Sequence, residues 1–419
     1  MLNKILTLAA VTTVVTATFA ALLSSPAQAA AGDPIRVGFL TVKSGALAAG
    51  GKQMEDGLQL FLKEHNNMIA GRKVELFVAD SAGQPAITKT KMQELVEKNN
   101  VQVIIGPLAA FEALAVDDYI RKAQIPVISP SAAAEDLTQR KPNPWFVRAV
   151  GTSAQPTQPF GEYAARELKY KRIAIIGDDF SFGHESVAGF QRTFEENGGK
   201  VVQKLWSPLN VADYGTYIGQ INPKVDAVFV SFAGGNGLKF IKQYNEYGLK
   251  GKIPLLASMT AVDEGVLKSM GDEALGVISA GWYPATIDNP ANKHFVQGMN
   301  REYKQDPGYY ALGAYSAALI LEQALTTVKG NIEDKPAFMA ALRNVEVPND
   351  PRGLLKLDAL GNPIMNVYIR KVERKDGKLV NSIIKTYPDV SQFWTYNRKD
   401  FLAAPVYSRD NPVAANLEK

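Results

Sequence analysis

Three observations place this chain in the α/β class, as two doubly wound layers of strand and helix. Continuous apolar, β-branched runs at residues 35–41, 101–105, 125–129, 172–176 and 227–231 read as strands buried on both faces of a parallel sheet. Stretches of helical composition separate them. The alternation breaks at the small, polar Gly151-Thr152-Ser153-Ala154 and then begins again with the same rhythm.

The first layer is organised around residues 101–135, a strand, a helix over 112–123 and a second strand. Loops 106–111 and 129–134 follow the two strands. Ligands of doubly wound sheets bind beyond the carboxyl ends of strands, so these loops form half of a small-molecule cleft. A helix starting near Phe111 aims unpaired N–H groups into that space, which favours an anion. Before this unit, strand 35–41 leads to Gly45, Gly50 and Gly51 and to a helix with Met54, Leu58, Phe61 and Leu62 on one face. Strand 73–79 and a helix over 85–99, opened by Pro85, come next. Strand 145–150 closes the layer.

In the second layer, strands at 172–176, 201–206, 227–231, 254–257 and 276–280 alternate with helices ending near 197, 221, 247 and 270. Loops 177–183, 231–235, 257–261 and 281–283 then cluster at one sheet edge, a second binding face. Helices at 291–304, 309–329 and 335–343 follow, then strand-like segments at 354–357, 365–371 and 379–386. The last twenty residues show no periodicity and either wrap or dangle.

The N-terminus reads as a signal peptide over residues 1–29. Lys4 precedes an apolar run to Leu23, and Ala27-Gln28-Ala29 is a small-residue cleavage site; a membrane anchor is the alternative. About 390 residues remain after cleavage, enough for two or three domains. The sequence has no cysteine, so the fold rests on its core alone and no lipidated cysteine holds it at a membrane. Release into a periplasm fits. A net charge of +4 is too small to argue for nucleic acid.

Catalysis finds no coherent constellation. The loop from Ser44 to Lys52 has Ala46 where a phosphate loop needs its first glycine and Gln53 where it needs a hydroxyl, leaving a ligand loop or a tight turn. Gly234-Gly235-Asn236-Gly237 lacks dinucleotide spacing. His65, His184 and His294 are far apart, so a transition-metal site has no basis. Asp178-Asp179 reads as a helix start or as an acid–base pair. Aromatic residues instead gather at element ends: Phe111, Phe180, Phe182, Phe232, Trp282, Tyr283, Tyr309 and Tyr310. Each is either core or a wall for a flat ligand.

The stretches IRVGFLTVKSGALAAGGKQMEDGLQL, VQVIIGPLAA, IPVISPSAAAEDLT, WFVRAVGTSAQ, RIAIIGDDFSFGHE and ALGAYSAALILEQAL, in that order and spacing, resemble periplasmic solute-binding proteins of the branched-chain amino acid (leucine/isoleucine/valine-binding) family. The resemblance covers about residues 35–390. It implies a type I periplasmic binding fold, two Rossmann-like lobes joined by three hinge crossings, closing on a ligand for delivery to an ABC permease. The implied lobes are residues 30–151 with 285–346 and residues 152–284 with 347–399, leaving 400–419 as a tail. It implies no enzyme activity, no cofactor and a monomer.

Departures from the amino acid binders narrow the ligand. Where they carry a hydroxyl for the ligand carboxylate, this chain aligns Ala110. Where they carry a threonine, it aligns Ala133. Their acidic partner for the ammonium aligns with Thr260, and their cleft tyrosine with Phe182. A buried ammonium without an anion is costly. The resemblance is therefore nearer to members that bind benzoate or phenylpropenoate derivatives. Backbone N–H groups near Ala110–Phe111 and at Ser131, Ala132 and Ala133, with the Ser131 hydroxyl, are expected to hold a carboxylate. Phe182, Phe232, Trp282 and Tyr310 are expected to enclose a ring, and Ser44, Lys43 or Thr260 to meet ring hydroxyls. An aliphatic amino acid or amide, or a sensor role, are the competing readings.

Overall fold

The β-branched runs form strands, arranged in two sheets, in a computed structural model that describes residues 32–418. The segment read as a signal peptide, residues 1–29, lies outside the described residues. Among those described, no helix is long and apolar enough to cross a membrane.

The first sheet contains β1 (Ile35–Thr41), β2 (Met68–Ile69), β3 (Arg72–Asp80), β4 (Val103–Ile105), β5 (Val127–Ser129) and β6 (Phe146–Arg148), in the order β2-β3-β1-β4-β5-β6. All its pairings are parallel except that of β2 with β3. The second sheet holds β7 (Arg172–Asp178), β8 (Lys200–Ser207), β9 (Ala227–Ser231), β10 (Leu255–Ser258) and β11 (Ile278–Gly281), with β12 (Glu346–Asp350), β13 (Gly353–Leu357), β14 (Pro363–Lys375) and β15 (Lys378–Val390). Strands β8-β7-β9-β10-β11 are parallel, and β14 joins antiparallel to β11. The β14–β15 hairpin is longer than the sequence predicts, and β12 was not predicted. Its Val347-Pro348-Asn349 lacks an alternating pattern, and pairing with β13 supplies the strand.

The helices are α1 (Ala48–Glu64), α2 (Pro85–Gln93), α3 (Ala110–Ala123), α4 (Thr157–Arg166), α5 (Ser181–Glu196), α6 (Gly215–Gly219), α7 (Gly235–Glu246), α8 (Glu264–Leu267), α9 (Pro290–Tyr303), α10 (Tyr309–Thr327), α11 (Lys335–Arg343) and α12 (Arg398–Ala403). The helix expected over 85–99 changes pitch at Glu94 into one wider turn before β4. The helix expected over 263–270 is a single turn, because residues 259–262 form a tighter turn under the cleft.

Helix α10 is apolar nearly all round and is the core rod of the first lobe. It packs along α1, where a Cβ on Gly57 would sit 2.0 Å from the Ala311 carbonyl oxygen, so only glycine permits the approach. The chain passes between the sheets three times: after β6, after β11 and after α11. Gln155, in the first passage, ties the chain to the β14–β15 hairpin. Its amide donates to the carbonyls of Pro363 (2.9 Å) and Val390 (2.7 Å), and its oxygen accepts from Thr152 N and Asn362 Nδ2.

The final residues wrap. Arg140 donates to the carbonyls of Phe401 (3.0 Å) and Ala404 (3.1 Å), the Arg192 guanidinium lies 3.6 Å from the Tyr396 ring centroid, and Glu418 pairs with Arg172 at 2.7 Å. The tail thus begins inside α12, with Phe401 and Tyr407 buried.

Candidate functional site

The carboxyl ends of both sheets face a shared cleft, and each wall is braced from behind. On the first wall, α3 begins at Ala110, and the N–H groups of its first turn have no helical partner. The Ala109 N–H is already used, because the buried Glu112 carboxylate accepts from it at 2.8 Å and from Thr88 Oγ1 at 3.1 Å. Loop 130–134 is held by the fully buried Arg148. Its guanidinium donates to the carbonyls of Ala132 and Ala134 and, at 3.1 Å, to Thr138 Oγ1. Burial lowers the Arg148 pKa to about 10, so it stays charged and polarises the carbonyls it binds. Ser153 donates to the Ala133 carbonyl from both N and Oγ, each at 3.0 Å.

On the second wall, Asp178 ends β7. Its carboxylate accepts from Ala233 N at 2.7 Å and Asn236 Nδ2 at 2.8 Å, so it braces the start of α7. The reading of Asp178-Asp179 as the start of the helix that follows them is corrected on this point: neither caps α5, and Asp179 instead pairs with His184 (2.8 Å) and Arg409 (2.8 Å). Burial pushes the Asp178 carboxyl up to about 7. Thr260 Oγ1 donates to the Phe232 carbonyl at 2.6 Å and lies 2.9 Å from Ser258 Oγ.

Between the walls is a narrow cavity with about 20 Å³ of free volume. From the first lobe, Leu47, Leu108, Ala109, Ala110, Ser131 and Ala133 face it, with Tyr309 and Tyr310 from the start of α10. Phe180, Phe182, Ala233 and Thr260 face it from the second. Among the described residues, no charged side chain lines it. The Tyr309 and Tyr310 ring centroids are 4.1 Å apart, and the Tyr309 hydroxyl lies 2.9 Å from Ser131 Oγ.

Of the residues singled out in the sequence, Ala110, Ser131, Ala133, Phe182, Thr260 and Tyr310 meet at this cavity. The others lie around it. Phe111 is half-buried and edge-to-face with Phe180 across the lobes at 5.3 Å. Ala132 stands behind the wall, its carbonyl taken by Ser129 and Arg148. Trp282 packs edge-on against Tyr309 at 5.7 Å. The Phe232 ring turns into the second-lobe core with Tyr214 and Phe240. Ser44 is exposed, and its hydroxyl donates to Asp80 at 3.1 Å. Lys43 Nζ pairs with Glu55 at 3.2 Å. Phe180 and Tyr309, grouped with the end-of-element aromatics, join the lining; Leu47, Leu108 and Ala233 carry no signal in the sequence beyond their loop positions.

Two α/β lobes joined by three crossings, with a mostly apolar cavity where their strand ends meet, have the architecture of a small-ligand-binding protein. The chain belongs to the periplasmic binding protein family, whose model matches residues 34–378. It is 28% identical over 375 residues to Leu/Ile/Val-binding protein homolog 6 of Brucella melitensis, covering 88% of this chain and 95% of that one. A solute-binding protein of an ABC transporter from Rhodopseudomonas palustris BisB5, solved with 3,4-dihydroxybenzoic acid, superposes with a TM-score of 0.82 at 32% identity, covering 86% of this chain and 99% of the other. A second, from Rhodopseudomonas palustris HaA2 with p-hydroxybenzoic acid, gives 0.81 at 30% identity over the same shares. The family and these relatives are substrate-binding transport proteins.

Proposed function

We propose that this protein captures a small aromatic carboxylate, of the benzoate or phenylpropenoate type, in the periplasm and delivers it to an ABC permease. The observation that carries this reading is the cavity lining: four aromatic rings, small residues and hydroxyls, with no charged side chain. Rings bury and stack a flat apolar body. The free N–H groups at the start of α3, the amides of the Ser131–Ala133 segment and the Ser131 hydroxyl take the carboxylate. An α-amino acid would bring an ammonium into a site with no anion to meet it, a penalty of several kcal/mol. The hydroxybenzoates bound by the two Rhodopseudomonas proteins support the aromatic reading. The name of the Brucella relative supports an aliphatic amino acid instead.

In this reading residues 1–29 are removed on export. The chain works as a monomer, with residues 30–151 and 285–346 as one moving body and 152–284 and 347–399 as the other. Closure needs contacts that both bodies make only around the ligand. Ser44 and Lys43 stay outside the closed cavity, leaving Thr260 as the residue to meet a ring hydroxyl.

A thermal-shift panel on the mature chain tests the reading, setting benzoate, 4-hydroxybenzoate, cinnamate and coumarate against leucine, valine and phenylalanine. A ligand at a hundredfold excess over Kd adds about 2.7 kcal/mol to stability. Shifts with the aromatic acids alone are expected. Shifts with leucine alone would replace the aromatic reading by the amino acid one.

A further inference from the structure

Outside the cavity, the buried carboxylate of Asp263 joins the two lobes. Asp263 follows β10 of the second sheet and is 1% exposed. Its Oδ1 accepts from the N–H of Tyr309, the first residue of α10, at 2.7 Å. Its Oδ2 accepts from Gln53 Nε2 on α1 at 3.0 Å and from Gly265 N at 3.1 Å. The first two donors belong to the first lobe and the third to its own. The nineteen-residue α10 therefore receives the anion at its N-terminus from the opposite lobe. Two glycines make room. A Cβ on Gly308 would lie 2.1 Å from Asp263 Oδ2, and one on Gly265 would lie 2.0 Å from Gln53 Nε2.

Tyr309 is held at three points. The second lobe holds its N–H, Ser131 meets its hydroxyl, and its ring faces the cavity against Trp282 and Tyr310. We propose that Asp263 is a positioning residue that latches the lobes shut and fixes Tyr309 against the bound ligand, a role resting on the reading that the cleft closes around a small acid. In an open cleft the carboxylate, Gln53 and the Tyr309 N–H all meet water, so the latch exists only in the closed form. It acts on how long the ligand stays rather than on how fast it arrives.

The chain has no cysteine, so labels can be placed at will. Spin labels at Lys89→Cys on the first lobe and Lys242→Cys on the second, both exposed positions, report closure by their distance distribution. The background is wild type, Asp263→Ala, Asp263→Asn and Gly308→Ala, each with and without 4-hydroxybenzoate. Asp263→Ala and Gly308→Ala are expected to lose the closed distance and to release 4-hydroxybenzoate ten- to a hundredfold faster, with association within about twofold. Asp263→Asn keeps one acceptor for the Tyr309 N–H and should recover part of the loss. Variants that only melt lower, with wild-type distances and release rate, would make Asp263 a purely structural residue and overturn the latch. A wild type that never shows the closed distance, with or without acid, overturns it as well. If the wild type shows that distance but no aromatic acid changes it, the ligand reading fails, and loss or retention of the distance in the variants still decides the latch.

Discussion

The loops of the first sheet bring leucine, alanine, serine and main chain to the cavity, whereas those of the second bring two phenylalanines, an alanine and a threonine, and α10 of the first lobe adds Tyr309 and Tyr310. Small side chains at Ala110 and Ala133 leave the amides of the first wall open to a ligand. Arg148 stands behind that wall and binds carbonyls, so its charge orients the loop without entering the cavity. On the second wall the Asp178 carboxylate is spent on holding Ala233 and Asn236, and Phe180 and Phe182 are what the cavity meets. The division of labour is chemical. In the proposed reading, the first wall recognises charge through the backbone, and the second recognises shape through apolar area.

The largest effect should come from placing a charge on the backbone wall. Ala133→Asp sets a carboxylate beside the ligand's own, in a site that is 4% exposed. A loss of a hundredfold or more in affinity for 4-hydroxybenzoate is expected, since unpaired buried charge costs several kcal/mol. Calorimetric titration against the neutral 4-hydroxybenzamide sharpens the test, because the amide should lose far less. Equal losses would mean the first wall does not recognise charge.

A second effect appears where the walls join. Glu135, just past the first-wall loop, donates its N–H to Glu185 Oε1 of α5 at 3.2 Å, placing two buried carboxyl groups from opposite lobes together. Burial, above all, pushes Glu185 up to about 7, and burial and the neighbouring Glu185 raise Glu135; Arg148 and Arg140 oppose this, while Asp136 adds to it. A raised carboxyl pKa means that the stability this group contributes is complete below its ordinary value near 4.5 and is lost as pH rises through about 7. Glu185→Gln removes that loss. The variant should gain on wild type by about 2 kcal/mol between pH 5 and pH 8, read as a widening difference in denaturation midpoint. A constant difference across that range would place the titration elsewhere.

On the aromatic wall, Phe182→Ala removes apolar area without changing charge. Affinity should fall about tenfold, or about 1.5 kcal/mol, for acid and amide alike. Because Phe182 is only half-buried, ligand-free stability should change little. A large stability loss without ligand would return the ring to the core and leave Phe180 as the wall.

The sequence carries the two walls unequally as well. Buried parallel strands announce themselves by uninterrupted β-branched runs, and the loops at their carboxyl ends follow from the alternation alone. The loops that hold Ala110, Ser131 and Ala133 follow in this way, and the resemblance to the amino acid binders singles out Ala110 and Ala133 within them. Which way a ring turns depends on tertiary partners, and no local pattern encodes it. Phe232 and Phe182 both follow strands of the second sheet, yet Tyr214 and Phe240 draw Phe232 inward while Phe182 remains at the cleft. Asp178 illustrates the same limit, since its partners lie 55 and 58 residues away. Strand β12 and the C-terminal wrap are tertiary in the same sense: each is held by pairing or by arginine contacts that a window of sequence cannot contain.

The smallest expected effect decides whether the comparison holds at the level of one atom. Ser131 is the hydroxyl on the backbone wall, and its Oγ lies 2.9 Å from the Tyr309 hydroxyl. If it serves only to orient Tyr309, Ser131→Ala removes one neutral hydrogen bond, about 1 kcal/mol, and weakens 4-hydroxybenzoate and 4-hydroxybenzamide equally, by about fivefold. If the hydroxyl also donates to the ligand carboxylate, the bond is charge-assisted and roughly twice as strong, so the acid should lose several times more affinity than the amide. Titration of both ligands against this one variant separates the two roles. An acid-specific loss extends charge recognition from main chain to side chain, and an equal loss confines it to the backbone.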